Sequence, residues 1–460
     1  MPEIRKGFFA GFLLIALNFL LHGNIYQLLV TVIEVSIIVY LIIESKLTRA
    51  YLFHLFFTIT TTSVPLYSDQ VRLYNYSKFE ILGPVSISQL FSIFFFFSVV
   101  SKLKPGIFSR YSRDLLFWFY VSFTGIIIGL IGLLFFDYYL QHFISYTVYV
   151  LYLIMNLLTA IYYVRKIDIN KLRNISFGIL AAAPIASLVV GLFGILGLYG
   201  NKDVYVVNEL GYYSFILLPI LIREKFNFLL LMGVIGSCFV LIDGGTGGKG
   251  IIFVLLVLIY SYYWIIKGDY YWNWFIGIIF RILPPAVGLG FYLYFAVDNY
   301  GLFLYKLESI WISIQNIGTI DNLMIIPNSP RIRVVSIINI WEEGMLNPLR
   351  LLFGAGFGSY FHDFTGILSR SDLSDAFRTL EIQNGRYGRP HDMPAAVPLA
   401  NGLLGLLLLL RLAYKYLKRV SRDPLNLSVY PFLLLSFYYN HQFALVGILL
   451  LIISDEGLRR

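Results

Sequence analysis

His391 stands in the stretch GRPHDMPAAVPLANGLLGLLLLL, directly ahead of a run of leucines. Imidazole changes charge near neutral pH, so a histidine at a water-facing boundary could take the proton of a reacting hydroxyl. A loop histidine with no catalytic duty is the plainer reading. Arg331, Arg333, Arg350, Arg370, Arg378, Arg386 and Arg389 crowd the same region, and no lysine follows Lys306 within it. The guanidinium is planar, always charged and suited to bidentate phosphate contacts. Carboxylates such as Glu343, Asp363, Glu381 and Asp392 lie close in sequence, so ion pairing or contact with lipid phosphates competes with a binding role for each arginine.

A second chemical feature is DGGTGGKGIIFVLLVLIY. Glycines 244, 245, 247, 248 and 250 leave backbone N–H groups open at the start of an apolar helix. The positive end of that helix, together with Lys249, favours an anion such as a diphosphate. The alternative is a flexible turn with a snorkelling lysine.

The elements that must position these residues follow from composition. Hydrophobic residues make up 58% of the 460 residues and charged residues 13%, with a mean hydropathy of +0.76. Such a chain is far more apolar than a soluble domain. Runs of about 20 apolar residues recur between short polar breaks, which predicts an all-α polytopic membrane protein. The strict alternation of a membrane barrel is absent. Spans are expected near 7–21, 25–43, 50–66, 81–101, 115–136, 140–163, 174–199, 205–222, 226–242, 250–266, 274–297, 397–413, 425–439 and 441–454, about 14 transmembrane helices in all. The first follows Arg5 and Lys6, ends without a small-residue cleavage site and reads as a retained helix. Cys238 is the single cysteine, which excludes an internal disulfide and argues against a metal site around it.

The formal charge of +9 resides largely in short loops between apolar runs, which is a topology signal rather than a nucleic-acid surface. With the N-terminus inside, Lys46, Arg49 and the basic residues of 102–113, 165–173 and 411–422 share the inner side. Three parts result: residues 1–297 with eleven spans, a large external loop at 298–396, and residues 397–460 with three spans and an inner C-terminus. Within the loop, 302–317 and 332–346 read as amphipathic helices on the outer membrane surface. Two charges fall mid-span, Glu34 and Arg281. Arg281, ahead of the kinking pair Pro284 and Pro285, either pairs with Glu34 or reaches toward the anion site.

Three stretches resemble the O-antigen polymerase and O-antigen ligase superfamily. His391, Asp392, Gly402 and Gly405 match a loop histidine followed by a glycine pair at the mouth of the next helix, with Ala400 where the family often has glutamate. In SPRIRVVSIINIWEEGMLNPLRLLFGAGFGSY, Arg331 or Arg333 matches the family arginine, and Gly354, Gly356 and Gly358 match its glycine-rich turn. In the Lys249 stretch, lysine replaces the family's usual arginine, keeping the point charge and losing the fork. The matches cover roughly residues 243–266 and 329–410.

The resemblance implies a GT-C-type membrane glycosyltransferase in the cytoplasmic (inner) membrane, with its active site on the periplasmic or external face. Its substrate would be an undecaprenyl-diphosphate-linked oligosaccharide. As a repeat-unit polymerase, the protein would move a growing glycan from one lipid diphosphate to the terminal sugar of the next lipid-linked repeat. The alternatives are an O-antigen ligase acting on lipid A core, or a flippase or transporter for lipid-linked glycan. His391 is the expected base, and Lys249, Arg333, Arg331 and Arg281 the expected diphosphate-binding cations. No metal or other cofactor and no nucleic acid is expected; the expected partners are the lipid-linked glycan, membrane lipid and a chain-length regulator protein.

Overall fold

The computed structural model describes residues 2–21, 25–62, 75–77, 79–82, 85–103, 105–195, 209–223, 227–243, 248–267, 300–316, 321–369, 377–388, 390, 393–430 and 441–457. Among the described residues, six helices are long and apolar enough to cross a membrane: Tyr26–Ile43, Leu116–Phe135, Leu140–Val164, Ile169–Val190, Gly250–Lys267 and Pro394–Val420. Shorter apolar helices cover Ile87–Val100, Ser214–Arg223, Phe228–Leu241 and Val446–Asp455. Among the described residues, sheet is confined to two antiparallel ribbons, β1 (Glu80–Leu82) with β2 (Val85–Ser86) and β3 (Phe361–His362) with β4 (Arg386–Tyr387). The architecture is all-α and membrane-embedded, as lipid demands of a backbone that must satisfy its own hydrogen bonds.

In chain order the first helices are α1 (Pro2–Leu20), α2 (Tyr26–Ile43), α3 (Leu47–Thr62), α4 (Ile87–Val100), α5 (Pro105–Phe135), α6 (Leu140–Val164) and α7 (Ile169–Ile195). The span expected at 205–222 is interrupted. There α8 (Glu209–Tyr213) passes through a 3-10 turn, Ser214–Ile216, into α9 (Leu217–Arg223). Ser214 Oγ donates to carbonyls of Leu210, at 3.1 Å, and Leu180. Pro219 lacks the N–H that a continuous helix would use at that point. Next come α10 (Phe228–Asp243), which carries the half-buried Cys238, and α11 (Gly248–Lys267). The span expected at 274–297 lies outside the described residues.

Helix α2 is polar inside and apolar outside. Its buried residues are Gln27, Thr31, Glu34 and Ile38, spaced along one face, while Leu29, Ile33, Tyr40 and Ile43 are exposed. In water that order would be unstable; in lipid it is the expected one, because intramembrane polar groups turn toward the bundle. Gln27 Nε2 donates to the Asn18 carbonyl of α1 at 3.2 Å. Glu34 is 1% exposed, and its proposed partner Arg281 lies outside the described residues. A second polar seam joins α3, α4 and α6: His54 Nδ1 meets Tyr76 Oη at 2.9 Å, His54 Nε2 meets Ser92 Oγ at 3.1 Å, and Ser92 meets Tyr152 Oη at 3.1 Å. Such bonds hold helices together where lipid supplies no competing water.

Small residues bring α1 and α7 together. A Cβ on Gly7 would strike the Ile175 carbonyl, and one on Gly178 would strike the Ile4 carbonyl. Gly11 lies one turn on, where a Cβ would sit 3.3 Å from Ile179 Cα. Gly7 and Gly11 thus form a small-xxx-small face against Gly178 and the buried Ala182.

Candidate functional site

The remaining elements are α12 (Tyr300–Asn316), α13 (Asn328–Leu346), α14 (Pro348–Phe353), α15 (Thr379–Asn384), the kinked α16 (Met393–Val420) and α17 (His441–Gly457). Residues 321–369 and 377–388 form a cap over one end of α5, α6 and α16. The cap has its own small core, including Ile326, Ile332, Val335, Phe361, Leu368, Tyr387 and Leu399.

The cap is seated by glycines. Gly402 breaks α16 with φ 65° and ψ −164°, which frees the carbonyls just before it from their helical donors. Ala355 N donates to Leu399 O at 2.7 Å and Gly356 N to Ala400 O at 2.9 Å. Gly354, Gly356 and Gly358 all lie at φ near +80°, a region L side chains rarely adopt. A Cβ on Gly356 would collide with the backbone of Ile128 and Gly129, and one on Gly354 with that of Ala400 and Asn401. Phe357, fully buried, lies against Gly125 and Gly129 of α5, and its N–H donates to Gly125 O at 2.8 Å. Asn401 Nδ2 donates to Val121 O and Thr124 Oγ1 of α5, at 2.9 and 2.8 Å. Gly405 leaves room for the Asn401 side chain one turn before it.

A carboxylate clamps the other side. Glu381 is 3% exposed and accepts from Gly388 N at 2.8 Å and Arg378 N at 3.0 Å, with His142 Nε2 of α6 at 3.5 Å. Burial alone would push its carboxyl up; the His142 contact, those two amides and the His142 charge outweigh burial and hold it below 4.5. Tyr139 Oη donates to Arg386 O at 2.9 Å and Tyr146 Oη to Gly388 O at 3.3 Å. Tyr387, in the cap core near Asp363 and Glu381, is pushed up to about 12, first by burial and then by those two charges.

The five candidate residues fare differently. Arg331 is buried; its Nε donates to Ile326 O at 2.8 Å and its Nη2 to Met324 O at 3.1 Å, tying the 3-10 turn Asp321–Met324 to α13. Two residues on, Arg333 is half-buried and donates to the Ser329 carbonyl and hydroxyl at 3.0 and 2.8 Å. Lys249 falls in the first turn of α11, and its side chain is outside the described residues. His391, Asp392 and Arg281 are outside them altogether. The structure therefore brings Arg331 and Arg333 onto one turn of α13, and joins Gly354–Gly358 to Gly402 across two separate sequence motifs.

One constellation was invisible in the sequence. Glu343 accepts from Arg350 Nη1 at 2.6 Å, from His362 N at 3.0 Å and meets His362 Nδ1 at 3.1 Å. Arg350 also donates to Tyr360 O. A carboxylate held by a guanidinium is an acceptor, so His362 Nδ1 carries the proton and Nε2 is the basic nitrogen. The His362 side chain is 46% exposed, and aromatic rings surround it: Tyr360 at 5.4 Å and Phe364 at 6.3 Å, with Arg386 Cζ 4.7 Å over Tyr360. An imidazole fixed by a carboxylate, flanked by cations and rings, can exchange a proton and stack a sugar. Glu343 and Arg350 are separated by a helix break, so no helical spacing announces their contact. Among the described residues, no three His, Cys, Asp or Glu side chains converge as a metal site. No family model, curated protein or solved structure matches this chain, so its function is argued from these residues.

Proposed function

We propose that the protein is a polymerase of lipid-linked oligosaccharide repeats, a GT-C-type glycosyltransferase that crosses the cytoplasmic membrane about 14 times and acts on its outer face. The observation that carries this reading is the cap: a polar, arginine-bearing and aromatic layer fixed by backbone bonds to the ends of membrane helices. A lipid diphosphate anchored in the bilayer and a sugar in water meet at that boundary.

In the proposed step the acceptor sugar's hydroxyl oxygen attacks the anomeric carbon of the growing glycan. The bond from that carbon to the diphosphate oxygen breaks, the hydroxyl proton passes to His391, and undecaprenyl diphosphate leaves with the bonding electrons. Lys249 and Arg333 balance the charge that builds on the diphosphate, with Arg281 further down the span and Arg331 holding the helix that carries Arg333. His362 is a second candidate for the proton, because Glu343 fixes its tautomer. General-base assistance is worth about 10²- to 10⁴-fold in rate.

The test is deletion in the host, with lipopolysaccharide from strains restored with the intact gene, His391→Ala or His362→Ala compared on a gel. Core carrying a single repeat and no ladder supports a polymerase; bare core supports a ligase, and an unchanged ladder removes the proposal. Whichever alanine variant loses the ladder at normal protein abundance identifies the base.

A further inference from the structure

The end of α16 opposite the cap carries a different chemistry. Beyond Gly402 the helix runs as GLLGLLLLLRLAYKYLKRV, so its last turns lie roughly 25 Å from the glycine break. Arg411, Lys415 and Lys418 fall within about 60° of one another around the axis, and Arg422 follows in the next turn. They line a cleft of about 490 Å³. Its apolar wall is Leu116 of α5 with Leu408 and Leu412 of α16.

No acidic residue lines this cleft among the described residues. Of the lining cations, Arg419 is taken up by Asp455 of α17, which accepts from it at 2.7 Å. A cluster of cations above an apolar wall, at the level where a membrane helix leaves lipid, is complementary to an anionic amphiphile and poorly matched to a free ion or an acidic protein surface.

We propose that this cleft is a binding site for an anionic phospholipid of the leaflet opposite the cap. The phosphate lies among Arg411, Lys415, Lys418 and Arg422, and an acyl chain runs along Leu116, Leu408 and Leu412. Basic residues at a membrane surface each strengthen attraction to anionic lipid severalfold. Because α16 is continuous from this cleft to the Gly402 joint, an occupied site also fixes the far end of the helix that seats the cap. The site is independent of the glycan chemistry proposed above.

The full chain, purified in detergent, is titrated with fluorescent phosphatidylglycerol, phosphatidylcholine or inorganic phosphate. Phosphatidylglycerol is expected to bind and to raise the thermal midpoint, with phosphatidylcholine and phosphate far weaker. The variant carrying Arg411→Gln, Lys415→Gln, Lys418→Gln and Arg422→Gln is expected to bind about tenfold or more weakly. The charge-keeping pair Lys415→Arg and Lys418→Arg is expected to retain binding. Equal binding of both lipids, or full affinity in the neutral variant, overturns the proposal; protection by phosphate alone overturns the lipid assignment. Should the neutral variant fail to fold, the exposed single reversals Arg411→Glu and Lys418→Glu are read instead, and undiminished binding in both overturns it.

Discussion

Two joints in this molecule are made by glycine, and they work differently. At the α1–α7 contact, Gly7, Gly11 and Gly178 keep helical geometry and serve only to let two backbones touch. At the cap, Gly354, Gly356, Gly358 and Gly402 leave helical geometry and expose N–H and carbonyl groups that pair across the joint. The first joint is apolar and holds by close packing in lipid. The second is directional and is finished by a buried carboxylate, Glu381, that accepts from two backbone amides. A membrane protein that carries a polar layer on the ends of its helices needs both: packing to build the platform and polar bonds to orient what sits on it.

The largest expected effect separates the two kinds of glycine. Gly356→Val adds a branched side chain at φ +83° against the backbone of Ile128 and Gly129, and is expected to cost roughly 4 kcal/mol or more and undock the cap. Gly178→Leu, at ordinary helical φ, forces α1 away from α7 and is expected to cost roughly 3 kcal/mol while the cap stays seated. Proteolysis of the cap, followed by mass spectrometry, reads the first; unfolding in mixed micelles reads the second. Equal protease sensitivity of the cap in both variants would collapse the distinction.

A smaller and more diagnostic effect concerns Glu381. Its carboxyl is held below 4.5 in the folded protein, so its stabilisation is fully present above that value and is lost as pH falls through the depressed one. Acid is therefore expected to speed hydrogen exchange in residues 377–388 while leaving α1 and α7 protected. Glu381→Gln offers one carbonyl to two amides and turns an NH₂ toward the other. It is expected to cost about 2 kcal/mol at neutral pH and to flatten that acid response. A Gln variant that still loosens with acid would assign the response to another group.

Much of this is legible in the amino-acid sequence. Hydropathy identifies lipid as the solvent, and Glu34 in the middle of a span announces that α2 must be polar inside. The glycines at 354–358 and at 402 stand out as turn and helix-mouth signals. What could not be read is that they meet, because the meeting depends on Gly125 and Gly129 in a span recognised only by hydropathy, and on carbonyls freed by a break at Gly402. The interruption at Ser214 is set by tertiary contact with Leu180, beyond the reach of a hydropathy window. Glu343 follows Glu342 near the end of α13, and Glu381 stands in the short α15. Their importance comes from His362, across a helix break and a glycine turn from Glu343, and from His142, far from Glu381 in sequence, and no periodicity links them.

The sharpest comparison left is between two arginines on one turn. Arg331 and Arg333 are interchangeable by motif, yet one is buried against main-chain carbonyls and the other lies nearer water beside Ser329. Arg331→Gln leaves the Ile326 and Met324 carbonyls short of their donors and is expected to lower cap stability by about 2 kcal/mol. Arg333→Gln removes the partly exposed contacts to Ser329 and is expected to change stability by no more than about 0.5 kcal/mol. If Arg333 holds the departing diphosphate, turnover with purified lipid-linked repeats should nonetheless fall by about 10²-fold or more, because charge balance is lost only in the transition state. Thermal midpoints and turnover measured on both variants give a crossed pattern under this assignment, stability falling in one and rate in the other. A stable Arg333→Gln protein with undiminished turnover would move the diphosphate away from α13 and toward the N-terminus of α11.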